Sequence, residues 1–139
     1  MQDLTRGALD GLSVLVVDDN QDQLDLLTAV LSFQGGRVIV ADSGRQALAC
    51  LQESPVDVIV SDLAMPGLSG MEFIRAVRRG RSAPRIPAIA VTAFYETEPR
   101  AAALAAGFQQ HLLKPLDYGT LVREILHLTR RDPSAEAET

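Results

Sequence analysis

Ser13-Val14-Leu15-Val16-Val17-Asp18-Asp19-Asn20 drives an apolar run straight into two adjacent carboxylates. The run does not alternate apolar with polar, so it predicts a strand covered on both faces, as in a parallel sheet. Four further runs have the same character: Arg37 to Ala41, Val56 to Ser61, Ile86 to Val91 and Phe108 to Leu113. Segments of helical period separate them. Leu24, Leu27 and Leu31, with Val30 and Phe33 beside them, form a stripe that stops at Gly35-Gly36. Ala47, Leu48 and Leu51 follow, closing before Pro55, and Phe73, Ile74 and Val77 come after a capping box at Ser69-Gly70-Met71-Glu72. The fourth helix is expected from about Thr97 through Ala101 to Ala106, ending at Gly107, and the fifth begins at Asp117 and presents Leu121, Ile125 and Leu128. Strand and helix alternating in this way predict an α/β fold, a doubly wound five-stranded parallel sheet with five helices.

Composition narrows the classes. The chain has 139 residues, 13 Lys+Arg against 18 Asp+Glu, a formal charge of −5 and 47% hydrophobic residues, which suits one domain with one core. Its single cysteine, Cys50, forms no internal disulfide and reads as a small buried hydrophobe. No apolar run approaches the ~20 residues that span a bilayer, and no secretory leader is visible, so the expectation is a cytoplasmic protein without a membrane partner. The acidic balance argues against direct nucleic-acid binding. Arg75, Arg78, Arg79, Arg81 and Arg85 do cluster, but without interleaved aromatics they read as a solvated helix end. Residues 1–11 are expected to form a tail or linker, 12–130 the folded domain and 131–139 a second tail, with no output domain.

In open parallel sheets, functional groups gather beyond the carboxyl ends of the strands. Asp18-Asp19 follows the first strand, Asp62 the third, Thr92 the fourth and Lys114 the fifth. For these to meet, strands one and three must be neighbours, which is the order 2-1-3-4-5 with its switch point between them. Three aspartates drawn together repel one another unless a cation sits among them, and hard oxygen donors suit Mg²⁺. Mg²⁺ sites of this kind commonly carry a phosphate oxygen, so phosphoryl chemistry is expected. Asp62 is the candidate nucleophile, Lys114 a point cation for phosphate, and the Thr92 hydroxyl a hydrogen-bond donor. Each residue also has a plainer reading: Asp18, Asp19, Asn20 or Asp22 as a helix cap, Asp42 and Ser43 likewise, Thr92 as a strand former and Lys114 as a surface lysine. Met65, Met71 and Phe73 read as packing, and His111 and His127 make no zinc site.

Val14 to Asn20, Ser61-Asp62-Leu63-Ala64-Met65-Pro66-Gly67-Leu68-Ser69-Gly70, Val91-Thr92-Ala93 and Leu113-Lys114-Pro115 occur in this order, and in combination the sequence closely resembles the receiver domains of two-component response regulators, with the CheY-like fold. The resemblance spans roughly Leu12 to Leu128. It implies that Asp62 accepts a phosphoryl group from phosphohistidine on a histidine kinase or histidine phosphotransfer protein. It implies further that Asp19, Asp62 and the Ala64 carbonyl coordinate Mg²⁺, with Asp18 helping directly or through water. Thr92 and Lys114 would hold the phosphoryl oxygens, aided by the N–H groups of Ala64 and Ala93. A Lys-Pro bond such as Lys114-Pro115 is often cis in the family.

The implied output is a partner surface around the fourth helix, fifth strand and fifth helix, with self-association left open. Receivers of this kind catalyse their own phosphorylation and dephosphorylation but serve as signalling modules. Phosphorylation would draw Thr92 toward Asp62 as part of the switch, and the residue coupled to it, three before the lysine, is usually Tyr or Phe in the family. Here it is His111, which would either make the switch pH-sensitive or stand as a solvent-facing histidine at a strand end. Ala64 and Phe94 predict slow self-hydrolysis, the first lacking a group to orient water and the second shielding the acyl phosphate. Leu9 to Asn20 is similar to the junction leading into receivers of hybrid histidine kinases. Two other readings stay open: a haloacid-dehalogenase-type phosphatase, which needs Asp-x-Asp where Asp18-Asp19-Asn20 stands, and a scaffold that is never phosphorylated.

Overall fold

Five parallel strands in the computed structural model pair in the order β2-β1-β3-β4-β5. The structure describes residues 7–81, 84–93 and 100–129. In chain order the elements are β1 (Ser13–Val17), α1 (Gln21–Phe33), β2 (Arg37–Ala41), α2 (Gly44–Glu53), β3 (Val58–Asp62), α3 (Gly70–Arg79), β4 (Ala88–Ala93), α4 (Arg100–Ala106), β5 (Gln110–Lys114) and α5 (Tyr118–Leu128). This is the predicted fold class and strand order.

Side-chain alternation along the central strands feeds two cores. Val14, Val16, Val58, Val60, Ile89 and Val91 pack with Leu24, Leu27 and Leu31 of α1 and Leu121, Val122 and Ile125 of α5. Leu15, Val17, Ile59, Ala88 and Ala90 face the other way, against α2, the Phe73, Ile74 and Val77 stripe of α3, and Ala103 of α4. Burial on both faces explains the unbroken apolar runs of β1 and β3, whereas β2 and β5, at the sheet edges, are only partly covered. Each large aliphatic side chain so buried contributes about 1.5–3 kcal/mol of transfer free energy.

Three strands start two residues later than the sequence predicts: β3 at Val58, β4 at Ala88 and β5 at Gln110. The cause is local in each case. The Asp57 amide turns to the Ser13 carbonyl while the Ser13 amide bonds the Asp57 carboxylate, a turn entry rather than a ladder. Pro87 has no N–H to give, although its carbonyl accepts from Ile59. Phe108 donates its amide to Ala103, closing the end of α4. Val56, Ile86 and Phe108 are therefore apolar because they pack at element ends.

The N-terminal boundary also moves. Leu9, expected in a tail, is fully buried, and its amide donates to the Gln34 carbonyl at 2.8 Å. Gly35, at φ +91°, lets the Asp10 carboxylate lie where a Cβ would otherwise stand. Residues 7–11 thus form part of the folded body, packed on the end of α1. The predicted tail at 131–139, Thr97 and Phe94 lie outside the described residues.

Candidate functional site

Val17 pairs with Ser61 across β1 and β3, so Asp18, just past β1, and Asp62, the last residue of β3, come level at adjacent strand ends. One carboxylate oxygen from each of Asp18, Asp19 and Asp62 lies within 4.8 Å of the others. Asp18 and Asp62 are buried and Asp19 is exposed, which gives a cleft with one open side. Backbone donors steady two of the acids: the Asn20 amide donates to Asp18 Oδ1 at 2.9 Å, and the Ala64 amide to Asp62 Oδ1 at 3.3 Å.

Lys114, the last residue of β5, reaches across β4. Its Nζ stands 3.5 Å from Asp18 Oδ2 and 3.7 Å from Asp62 Oδ2. The Lys114–Pro115 peptide bond is cis. Ala93 pairs with Lys114 across β4 and β5, and Thr92, one residue earlier, is 1% exposed. Ala64 is exposed at the mouth of the cleft. The predicted set is thereby gathered at one end of the sheet.

The capping roles fall to neighbours. Asn20 caps α1 by accepting from the Gln23 amide, Ser43 caps α2, Ser69 and Glu72 complete the capping box of α3, and Asp117 caps α5. Asp18 and Asp19 are left to the cleft. Met65, Met71 and Phe73 are core residues, as expected.

Three features escaped the sequence reading. Thr92 Oγ1 lies 3.0 Å from His111 Nε2. Parallel pairing of Ala90 with His111 puts Thr92, two residues along β4 on the same face, diagonally beside the imidazole. Burial, then the positive charge of Arg100 on α4, holds the imidazole below its ordinary proton affinity. Secondly, a Cβ on Gly70 would lie 2.7 Å from Leu63 Cα and collide with the Asp62 carbonyl oxygen, so α3 starts directly against the backbone of the acidic site. The capping box announced that helix start but not its closeness to Asp62.

The third is a correction. Arg78, read as part of a solvated helix end, donates to the Gly107 carbonyl from Nε and a terminal nitrogen at 3.0 and 2.6 Å. It also reaches the Pro84 and Ile86 carbonyls at 3.1 and 2.6 Å and Gln109 Oε1 at 3.1 Å. Arg75, Arg79, Arg81 and Arg85 remain exposed.

The family model of the response regulator receiver domain matches residues 14–126. The chain belongs to this family. The receiver is 42% identical over 112 residues to an uncharacterized 14.6 kDa protein of Leptolyngbya boryana, covering 81% of this chain and 86% of that protein. It is 40% identical over 115 residues to the virulence sensor protein BvgS of Bordetella pertussis, covering 79% of this chain but only 9% of BvgS. Among solved structures it is similar to the receiver domain of sensor histidine kinase PA1611 from Pseudomonas aeruginosa PAO1, at 30% identity and a TM-score of 0.79, covering 86% of this chain and 98% of that one. That structure has a magnesium ion coordinated in the active site cleft. Among the described residues of the present receiver, no helix is long and apolar enough to cross a membrane.

Proposed function

We propose that this receiver takes a phosphoryl group onto Asp62 from phosphohistidine on a histidine kinase or histidine phosphotransfer protein. The observation that carries the reading is the meeting of three carboxylate oxygens within 4.8 Å, with Lys114 Nζ 3.5 and 3.7 Å from two of those side chains. Asp62 forms a P–O bond as the P–N bond of the donor breaks, and the electron pair returns to the donor's imidazole nitrogen. Lys114 offsets the charge of the incoming group, and the Thr92 hydroxyl with the Ala64 and Ala93 amides donates to its oxygens.

The donor set fits Mg²⁺: three hard carboxylate donors, two on buried residues and one on an exposed residue, which leaves room for water and phosphate ligands. Asp18, Asp19, Asp62 and the Ala64 carbonyl would hold it. When bound, the ion neutralises carboxylate and phosphoryl charge.

Phosphorylation adds ≈ −1.5 to −2 charges, enough to bias a two-state surface. α4, β5 and α5 form the output surface for a downstream protein, consistent with exposed Leu104 and Leu113. Likeness to sensor proteins supports a hybrid-kinase or phosphorelay setting in the cytoplasm. The phosphatase reading is disfavoured, because Asn20, where a second aspartate would be required, caps α1.

Intact mass after treatment with acetyl phosphate tests the reading. A metal-dependent gain of ~80 Da in wild type, absent in Asp62→Asn, is the expected result. An unchanged mass in wild type, or equal gain in the variant, defeats it.

A further inference from the structure

Thr92 Oγ1 is 3.0 Å from His111 Nε2, and a hydroxyl carries a single proton. Were Nε2 bare, that proton would be spent on the imidazole. Turning the proton toward a phosphoryl group would then leave two lone pairs facing each other at hydrogen-bond distance. Thr92 is 1% exposed, so its hydroxyl has few partners besides the imidazole and an incoming group. With the ring in place, Thr92 serves a phosphoryl oxygen only when Nε2 itself bears hydrogen.

We infer that His111 is a positioning residue for the phosphoryl group, its Nε2–H donating to Thr92 Oγ1 so that the hydroxyl proton points at an oxygen on Asp62. This rests on Asp62 being the phosphoacceptor. Arg100 on α4 and the partial burial of the ring favour neutral imidazole, which has one N–H to place, so tautomer choice decides the direction of the relay. The strand backbone beneath it is secured separately: the His111 amide donates to Gln110 Oε1 at 2.9 Å, and Gln110 Nε2 donates to Glu124 on α5 at 3.3 Å. A phenylalanine here keeps a flat ring but supplies no donor.

The test is a double-mutant cycle on affinity for beryllofluoride, a stand-in for the acyl phosphate, in the presence of Mg²⁺. The proteins are wild type, His111→Phe, Thr92→Ala and the double variant. His111→Phe is expected to weaken binding about three- to tenfold when Thr92 is present, the worth of one hydrogen bond, and to add nothing in the Thr92→Ala background. Equal losses in both backgrounds would mean the ring acts structurally and overturn the inference. Imidazole ¹⁵N shifts of wild type give a second readout that needs no variant to fold. Hydrogen on Nε2 in the beryllofluoride-bound protein is expected, and a bare Nε2 there overturns the relay. Wild type that takes up no beryllofluoride at all overturns the phosphoacceptor reading itself, a separate failure from an additive cycle.

Discussion

Arg78 and Lys114 are both cations that reach oxygen atoms on other elements, and they are bonded very differently. The Arg78 guanidinium spreads over three carbonyls and one side-chain amide at 2.6–3.1 Å, tying α3 to the end of α4 and to the approach into β4. Lys114 stands off two carboxylates at 3.5 and 3.7 Å. A planar fork with fixed donors suits permanent bridging, and a compact ammonium on a flexible stem suits a charge that must accommodate a new group. The scaffold end of the molecule saturates its donors; the chemical end keeps donor capacity in reserve.

The largest expected separation of the two comes from Asp62→Asn. Adduct formation with acetyl phosphate is lost completely, while the thermal midpoint of the metal-free protein does not fall, because one of three crowded carboxylates has been neutralised. Arg78→Met should do the reverse. Leaving the Gly107 and Ile86 carbonyls without their donor is expected to cost about 3 kcal/mol in urea unfolding, with the adduct on Asp62 still forming. An Arg78→Met protein that loses the adduct but keeps its stability would erase the contrast.

Gly70→Ala joins the two ends. The added methyl meets Leu63 Cα and the Asp62 carbonyl, so overpacking of about 1–3 kcal/mol should appear together with slower phosphorylation. Urea unfolding and a mass time course would reveal whether one moves without the other.

The smallest effect is in pH. Folding lowers the proton affinity of His111, so the unfolded chain binds more protons in this range. The corresponding stability is present above the ordinary imidazole value of about 6.5 and is lost as pH falls through it toward the lower folded value. His111→Phe should flatten that slope between pH 7 and the folded value, measured by urea midpoints. An unchanged slope would point to other groups.

Much of the architecture needed no coordinates. Unbroken apolar runs, the capping box at Ser69 and Glu72, the stop at Gly35-Gly36 and the carboxylates after Val17 are local signals, each written within a few residues. They announced the parallel sheet and the acids at its carboxyl end, and the requirement that those acids meet implied the strand order. The bounds of β3, β4 and β5 slipped by two residues because apolar residues that pack at element ends look the same in sequence as residues that pair in a ladder.

Sequence alone determined which residue types stand at which strand ends, since alternating β and α segments permit few topologies. Tertiary packing decided what each partner touches. Lys114 meets Asp18 across 96 residues of chain, Arg78 meets Gly107 across 29, and Thr92 meets His111 across 19. Leu9 joins the core only because the end of α1 is there to cover it. A hydrogen bond between remote residues leaves no periodic trace in the chain; it depends on register and on which face of the sheet each side chain takes.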